Sequence, residues 1–220
     1  HQRKKRSYEI ETAFYQNFSE QCNNNCRLPK LYAASMLGNE LFMVLEDLDA
    51  AGFPVRRSSI AWNELYACIQ WLANFHATFM DATPSNLWKI GCYWHLTTRQ
   101  EEFNVMRNKP LKEAAHFIDK KLSESPFQTL VHGDAKLANF CFSENSSQVA
   151  AVDFQYVGKG CGMKDLVYLM DSSLSPQDCN RLETKILDTY FELLHAALTQ
   201  RNKQIDFTLL EKNWRELYAY

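Results

Sequence analysis

Between residues 139 and 153 the sequence leaves the backbone little freedom. Phe140-Cys141-Phe142 and Val149-Ala150-Ala151-Val152 are short apolar runs on either side of Ser143-Glu144-Asn145-Ser146-Ser147-Gln148, a stretch of turn-forming residues. Two such runs pair as an antiparallel hairpin. Counting outward from the turn puts Asn139 just before the first strand and Asp153 just after the second, so pairing brings both to the open end. Asp134 lies in the segment that leads into that same end. Two carboxylates and a carboxamide therefore converge without a matching cluster of histidines or cysteines. Hard oxygen donors of this kind suit Mg²⁺, which takes one or two protein ligands and leaves its other positions to water and phosphates.

Lys136 adds a cation to the same loop. Metal ligands, a further carboxylate and a lysine are what phosphoryl transfer from a nucleotide requires: a group to orient the acceptor hydroxyl and take its proton, metal at the phosphates, and a cation against equatorial charge. By role, Asp134 is expected to be the base, Asn139 and Asp153 the metal ligands, and Lys136 the γ-phosphate contact.

Periodicity supplies the frame around this site. Residues 4–18 read as a helix with Tyr8, Glu11, Phe14, Tyr15 and Phe18 on one side, and Arg3–Arg6 as its solvated front. Residues 40–48, bounded by Gly38-Asn39, read as a short buried strand. A long helix from about Ser59 to Phe79 carries the stripe Trp62, Leu65, Ile69, Leu72, His76, Phe79, on which His76 reads as a packed, hydrogen-bonded core residue. Residues 83–110 are irregular and rich in aromatics; Trp88, Tyr93 and Trp94 read as core or rim packing, with a substrate wall as the rival. A helix is expected at 110–124. Ser175-Pro176-Gln177-Asp178 is a good helix start, with burial expected at Leu182, Ile186, Tyr190, Leu193 and Ala197. A last helix is expected over 207–219. Gly158-Lys159-Gly160-Cys161-Gly162 lacks dinucleotide-fingerprint spacing and reads as a flexible loop near the metal. The result is an α+β chain with a small strand-bearing front and a largely helical back.

Composition narrows the function classes. Lys plus Arg is 24 against Asp plus Glu 26, a net charge of -2, which predicts no electrostatic grip on nucleic acid. Apolar runs such as Leu41–Leu45 are too short to span a bilayer, so no membrane partner is expected. The seven cysteines are scattered, form no C-x-x-C pair and have no histidine at zinc spacing, as in a reduced cytoplasmic protein.

His132-Gly133-Asp134-x-x-x-x-Asn139 followed by Val152-Asp153-Phe154 resembles the catalytic loop and metal-binding motif of small-molecule kinases with a protein-kinase-like fold, among them aminoglycoside phosphotransferases and choline kinases. Gly133 and Gln155 stand where protein kinases have the Arg of H-R-D and the Gly of D-F-G, which disfavours that branch. Asp153-Phe154-Gln155 with Asp165-Leu166-x-Tyr168-Leu169 is most similar to the ecdysteroid-kinase-like family. Glu11-x-x-Phe14-Tyr15, Val44-Leu45-Glu46-Asp47-Leu48 and Leu72-Ala73-x-Phe75-His76-Ala77 are also similar to it.

The resemblance implies a bilobal enzyme, with the remainder of the N-terminal lobe at 1–50 and a helical C-terminal lobe at 51–220. ATP and Mg²⁺ are the implied cofactors and a small-molecule hydroxyl the implied acceptor. It implies that Glu11 pairs with a lysine of a preceding strand, that backbone around Glu46, Asp47 and Leu48 meets the adenine, that His132 braces the loop, and that Asp165 holds it from behind. The chain opens on His1 rather than Met, and on this resemblance a phosphate-covering loop and a strand lysine are expected ahead of it. A catalytically silent, pseudokinase-like nucleotide-binding or scaffold protein is the alternative. Steroid-like, amino-alcohol and sugar hydroxyls all remain open as acceptors.

Overall fold

The computed structural model describes residues 2–37 and 40–220; His1 and the Gly38-Asn39 boundary of the expected strand lie outside the described residues. In chain order the elements are α1 (Gln2–Asn17), β1 (Leu31–Leu37), β2 (Glu40–Leu45), α2 (Trp62–Thr78), α3 (Gln100–Asn104), α4 (Lys109–Ser123), β3 (Thr129–Val131), β4 (Phe140–Phe142), β5 (Val149–Ala151), β6 (Gly158–Gly160), α5 (Met163–Ser173), α6 (Pro176–Gln200) and α7 (Phe207–Leu217). The strands form three two-stranded antiparallel sheets, β1–β2, β3–β6 and β4–β5. The architecture is α+β, as expected, and no helix among the described residues is long and apolar enough to cross a membrane.

Helix α2 is the axis of the molecule. Leu65, Ile69, Leu72, Phe75 and His76 are all buried, and so are Ala67, Cys68, Trp71 and Ala73 on other faces. A helix that is apolar nearly all round must be surrounded. Here α6 packs along it through Ile186, Tyr190 and Leu194, which are likewise buried. Leu182 and Leu193, also expected inside α6's face, are only partly buried against the core. The α2 start lies at Ala61 rather than Ser59, because the Glu64 carboxylate accepts the Ala61 N–H at 2.8 Å. The α6 start is the expected one: Ser175 Oγ accepts the Asp178 N–H at 3.1 Å, with Pro176 in the first turn. Helix α1 turns Ile10, Phe14 and Tyr15 inward, but Tyr8, expected on that side, stays 39% exposed. Arg3 and Arg6 form the solvated front expected, paired with Glu102 and Glu9 on the outside.

Three expectations are corrected. Residues 40–48 are not a buried strand: β2 ends at Leu45 and alternates, with Phe42 and Val44 exposed and Met43 and Leu45 packed against the core. Its apolar residues occupy both faces of a two-stranded ribbon, of which one face meets the core. Its partner β1 carried no distinct sequence signal. The glycine-rich segment is not a flexible loop either. Gly158–Gly160 is a strand paired with Thr129–Val131, and a Cβ at Gly158 would sit 2.3 Å from the Trp88 carbonyl oxygen. Gly158 serves close backbone approach, whereas a Cβ at Gly160 or Gly162 would meet side chains. Within 83–110, Leu96–Thr98 forms a short 3₁₀ turn and Gln100–Asn104 the helix α3.

Candidate active site

The hairpin forms in the expected register, with Phe140 opposite Ala151 and Phe142 opposite Val149. One further bond, from the Val152 N–H to the Asn139 carbonyl at 3.0 Å, closes its open end and sets Asn139 beside the entry to Asp153. Asn139 Nδ2 donates to the Asp134 carbonyl at 2.8 Å and to Asp134 Oδ2 at 3.3 Å. Lys136 Nζ reaches the same Oδ2 at 2.8 Å. Asp134 is 2% exposed, whereas the Lys136 side chain is 39% exposed, so the pair joins a buried carboxylate to a cation at the solvent edge. Burial alone would lower the Lys136 pKa, but the Asp134 hydrogen bond and the charges of Asp134 and Asp153 hold its ammonium above the ordinary lysine range. Asp134, Lys136, Asn139 and Asp153 thus share one electrostatic neighbourhood.

Asp165, on the first turn of α5, lies beneath that loop. Its carboxylate accepts the His132 N–H at 2.6 Å, the Gly133 N–H at 2.9 Å and His76 Nε2 at 3.0 Å. Complete burial acts upward on this carboxyl, yet the His76 hydrogen bond and charge, with the Gly133 N–H, leave its pKa below the usual aspartate range. His76 is the buried core residue expected, completed by Tyr190 Oη at 2.7 Å from Nδ1. His132 donates from Nε2 to the Val152 carbonyl at 2.9 Å while its Nδ1 accepts the Asp134 N–H at 3.3 Å. One imidazole therefore ties the loop to the end of the hairpin.

Asp153 has φ 68°, the left-handed region that Asp tolerates better than most residues. Its Oδ1 is buried with no hydrogen-bond partner among the described residues. A buried carboxylate oxygen without a donor is costly unless a cation reaches it. Glu11 of α1 faces the same region: its Oε1 accepts the Phe154 N–H at 3.1 Å. Burial first, and the Asp153 charge second, push the Glu11 pKa up to about 7. No lysine or arginine among the described residues pairs with it. Two neighbouring acids, one of them orphaned, fit a site that receives positive charge. Among the described residues no group of three or more His, Cys, Asp or Glu could hold a metal unaided. The donors present, one aspartate and one asparagine, suit an Mg²⁺ whose remaining ligands come with a nucleotide.

The three remaining expected residues lie above the hairpin. Leu48 is buried against Cys141 and Ala150, with Val152 packed on the same cluster. The Glu46 side chain is engaged elsewhere, with Arg27 Nη2 at 2.5 Å and the Lys30 N–H at 3.0 Å; desolvation opposes ionisation, but these partners hold its pKa below the usual glutamate range. Asp47 Oδ1 caps the Asp49 and Ala50 N–H groups. The N–H groups of Asp47 and Leu48 and the Glu46 carbonyl have no hydrogen-bond partner among the described residues. An aromatic wall completes the other side. Tyr93 N–H donates to the Gly133 carbonyl at 2.7 Å, the Tyr93 ring lies 4.8 Å from Tyr156, and the Arg99 guanidinium sits 3.5 Å over Tyr93. The aromatic density of 88–95 signals the wall, but nothing in the sequence singles out Arg99 or Tyr156.

Residues 80–203, more than half of the chain, match the family described as ecdysteroid kinase-like. The chain belongs to that family. An uncharacterized kinase-like protein of Caenorhabditis elegans is 21% identical over 237 residues, covering 96% of this chain and 62% of that protein's length. The ecdysteroid kinase-like chain therefore spans about three fifths of this relative. Two solved structures share its fold. An aminoglycoside-3'-phosphotransferase of type VIII aligns with a TM-score of 0.50 at 12% identity, over 97% of this chain and 79% of that one. The macrolide 2'-phosphotransferase MphH of Brachybacterium faecium, as apoenzyme, aligns at 0.53 and 13%, over 98% and 71%. The fold is thus the protein-kinase-like fold of small-molecule phosphotransferases.

Proposed function

We propose that this chain carries the catalytic part of an ATP- and Mg²⁺-dependent phosphotransferase whose acceptor is a hydroxyl on a small organic molecule. The observation that carries the reading is the buried Asp153 Oδ1, without a hydrogen-bond partner among the described residues, at the mouth of the hairpin that also holds Asn139 against Asp134. Asp153 and Asn139 would hold the metal, which supplies charge neutralisation at the phosphates. Asp134 is the base: Lys136 and Asn139 both hold its Oδ2, leaving Oδ1 to orient the acceptor hydroxyl and take its proton. Lys136, half-exposed, is close enough to turn from Asp134 toward a transferring phosphate. The free backbone groups of Glu46, Asp47 and Leu48 suit the hydrogen-bonding edge of adenine. His132 and Asp165 fix the loop, and Glu11 receives a cation.

The test is a pair of variants assayed for Mg·ADP binding by calorimetry and for ATP turnover over an alcohol panel. Asp153→Asn should abolish metal-dependent nucleotide binding. Asp134→Asn should retain it while turnover falls by on the order of 10²-fold or more. Turnover unchanged in Asp134→Asn overturns the assignment. Metal-dependent binding with no turnover on any acceptor would favour the silent nucleotide-binding reading instead.

A further inference from the structure

The segment between the β1–β2 ribbon and helix α2 carries a motif with no part in the phosphotransfer site. Arg56-Arg57-Ser58-Ser59-Ile60 sets two arginines two and three residues ahead of Ser59 and an apolar residue directly after it. Basophilic serine kinases recognise substrates by this charge pattern. Carboxylates of the kinase pair with the arginines, and the substrate backbone lies extended in its groove. A short motif of this kind also arises by chance, so the fold around it decides its meaning.

Here the fold leaves the motif open. Ser58 and Ser59 are exposed, and residues 56–60 belong to no helix or strand. Their backbone groups make no backbone–backbone hydrogen bond among the described residues. Both ends of the segment are fixed, by the Val55–Phe142 bonds at 2.9 and 3.1 Å and by the start of α2, while its middle stays free for a partner. Arg56 is the cation a partner can take. Its Nη2 pairs with Asp49 at 2.9 Å, but the two side chains are 49% and 59% exposed, and such a pair is weak. Arg57 is held more firmly, with Nε 2.6 Å from Glu64 Oε1 and Nη2 donating to Ser146 Oγ at 2.9 Å. Ser59 stands three residues after Arg56, whereas Ser58 stands three after Val55, so Ser59 is the better acceptor. Ser7, Ser123 and Thr184 also have a lysine or arginine three residues ahead, but all three lie in helices, α1, α4 and α6. Ser7 is buried and bonded to the Lys4 carbonyl, and Ser123 Oγ donates to the Asp119 carbonyl at 2.7 Å. Each helix would have to unwind before an extended groove could receive its hydroxyl.

We infer that Ser59 is a phosphorylation site for a basophilic serine kinase that docks on Arg56. In that step Ser59 Oγ bonds to the γ-phosphorus of ATP, and the bond from that phosphorus to the β–γ bridging oxygen breaks. ADP leaves, and the hydroxyl proton passes to a carboxylate base of the modifying kinase. Neither Ser59 nor Arg56 belongs to the proposed phosphotransfer site, so the inference stands whether or not this chain is itself active.

The test incubates the folded chain with labelled ATP and the catalytic subunit of cAMP-dependent protein kinase, a basophilic enzyme, and locates phosphate by tandem mass spectrometry. Ser59 should carry at least about tenfold more label than Ser7, Ser123 or Thr184. Arg56→Ala, an exposed substitution, should lower the initial rate of Ser59 labelling by about tenfold, the loss of one charged contact to the kinase. Absence of label on Ser59, label on Ser123 or Thr184 at the level of Ser59, or an unchanged rate in Arg56→Ala overturns the inference. Labelling of Ser59 with the added kinase left out overturns it too, since the chain would then be modifying itself.

Discussion

Two residues of the site occupy the left-handed backbone region for different reasons. Gly133 has φ 81°, and a Cβ there would stand 2.2 Å from the Tyr156 carbonyl oxygen. Only glycine satisfies both limits, which is the physical content of a Gly within the His-Gly-Asp motif. Gly133→Ala should therefore cost at least about 2 kcal/mol, left-handed strain plus a forced backbone shift, read from urea melts. Asp153 has φ 68°, which aspartate tolerates, and its Oδ1 is buried with no hydrogen-bond partner among the described residues, so backbone strain and an orphaned acceptor fall on one residue. Glu11, beside it, gives a pH signature. Its pKa in the folded, metal-free protein is about 7, above the ordinary value of 4.5. The folded state then holds a proton that the unfolded state releases between those two values, so stability is full below about pH 4.5 and declines toward pH 7. The decline attributable to this group is on the order of 3 kcal/mol. Glu11→Gln should flatten the slope of the urea midpoint between pH 5 and 7.5; an unchanged slope would show that Glu11 does not titrate in that window.

At the level of elements, what could be read in advance followed side-chain pattern and turn chemistry. The β4–β5 hairpin was legible because two apolar runs flank a six-residue polar turn, and that same arithmetic placed Asn139 and Asp153 at its mouth. Helix α6 was legible from its cap and first-turn proline. Strand β6 was not, because Gly158 and Gly160 offer no alternation to read, and the role of Gly158 appears only when the Trp88 backbone is seen against it. Ribbon β1–β2 was half legible, its burial misjudged because an apolar strand need not have both faces covered. The two kinds of element respond differently to mutation. Ser175→Ala removes one cap bond and should cost about 1 kcal/mol. Gly158→Ala places a methyl 2.3 Å from a backbone oxygen and should cost more, by distorting the β3–β6 pair behind the loop. Guanidinium melts of the two variants, with the larger loss in Ser175→Ala, would contradict this ranking.

Across the whole molecule, Phe154 shows why local motifs sufficed to find the site but not to explain its rigidity. Its ring stacks on Phe14 of α1 at 4.3 Å, lies 4.7 Å from the His132 imidazole, and contacts Phe75 and Trp71 of α2 at 6.0 and 6.3 Å. The residue after the proposed metal ligand thus joins the first helix, the central helix and the proposed catalytic loop. None of those partners is near it in sequence, so no window of the chain could have shown the convergence. The Asp165 and His76 hydrogen bonds extend the connection to α6 through Tyr190. One consequence is thermodynamic. The principal buried cluster contains Ile10 and Phe14 of α1, the α2 stripe, Phe140 and Phe142 of the hairpin, and Trp214 of α7, with no break between a front and a back part. A core shared in this way should unfold as one unit, so far-ultraviolet dichroism and tryptophan fluorescence should give coincident urea transitions. Phe154→Ala removes the ring at the centre of that cluster and should lower stability by about 3–5 kcal/mol, shifting both transitions together. Two separated transitions, with Phe154→Ala moving only one, would mean that α1 and the helical part fold independently despite their shared aromatic contacts.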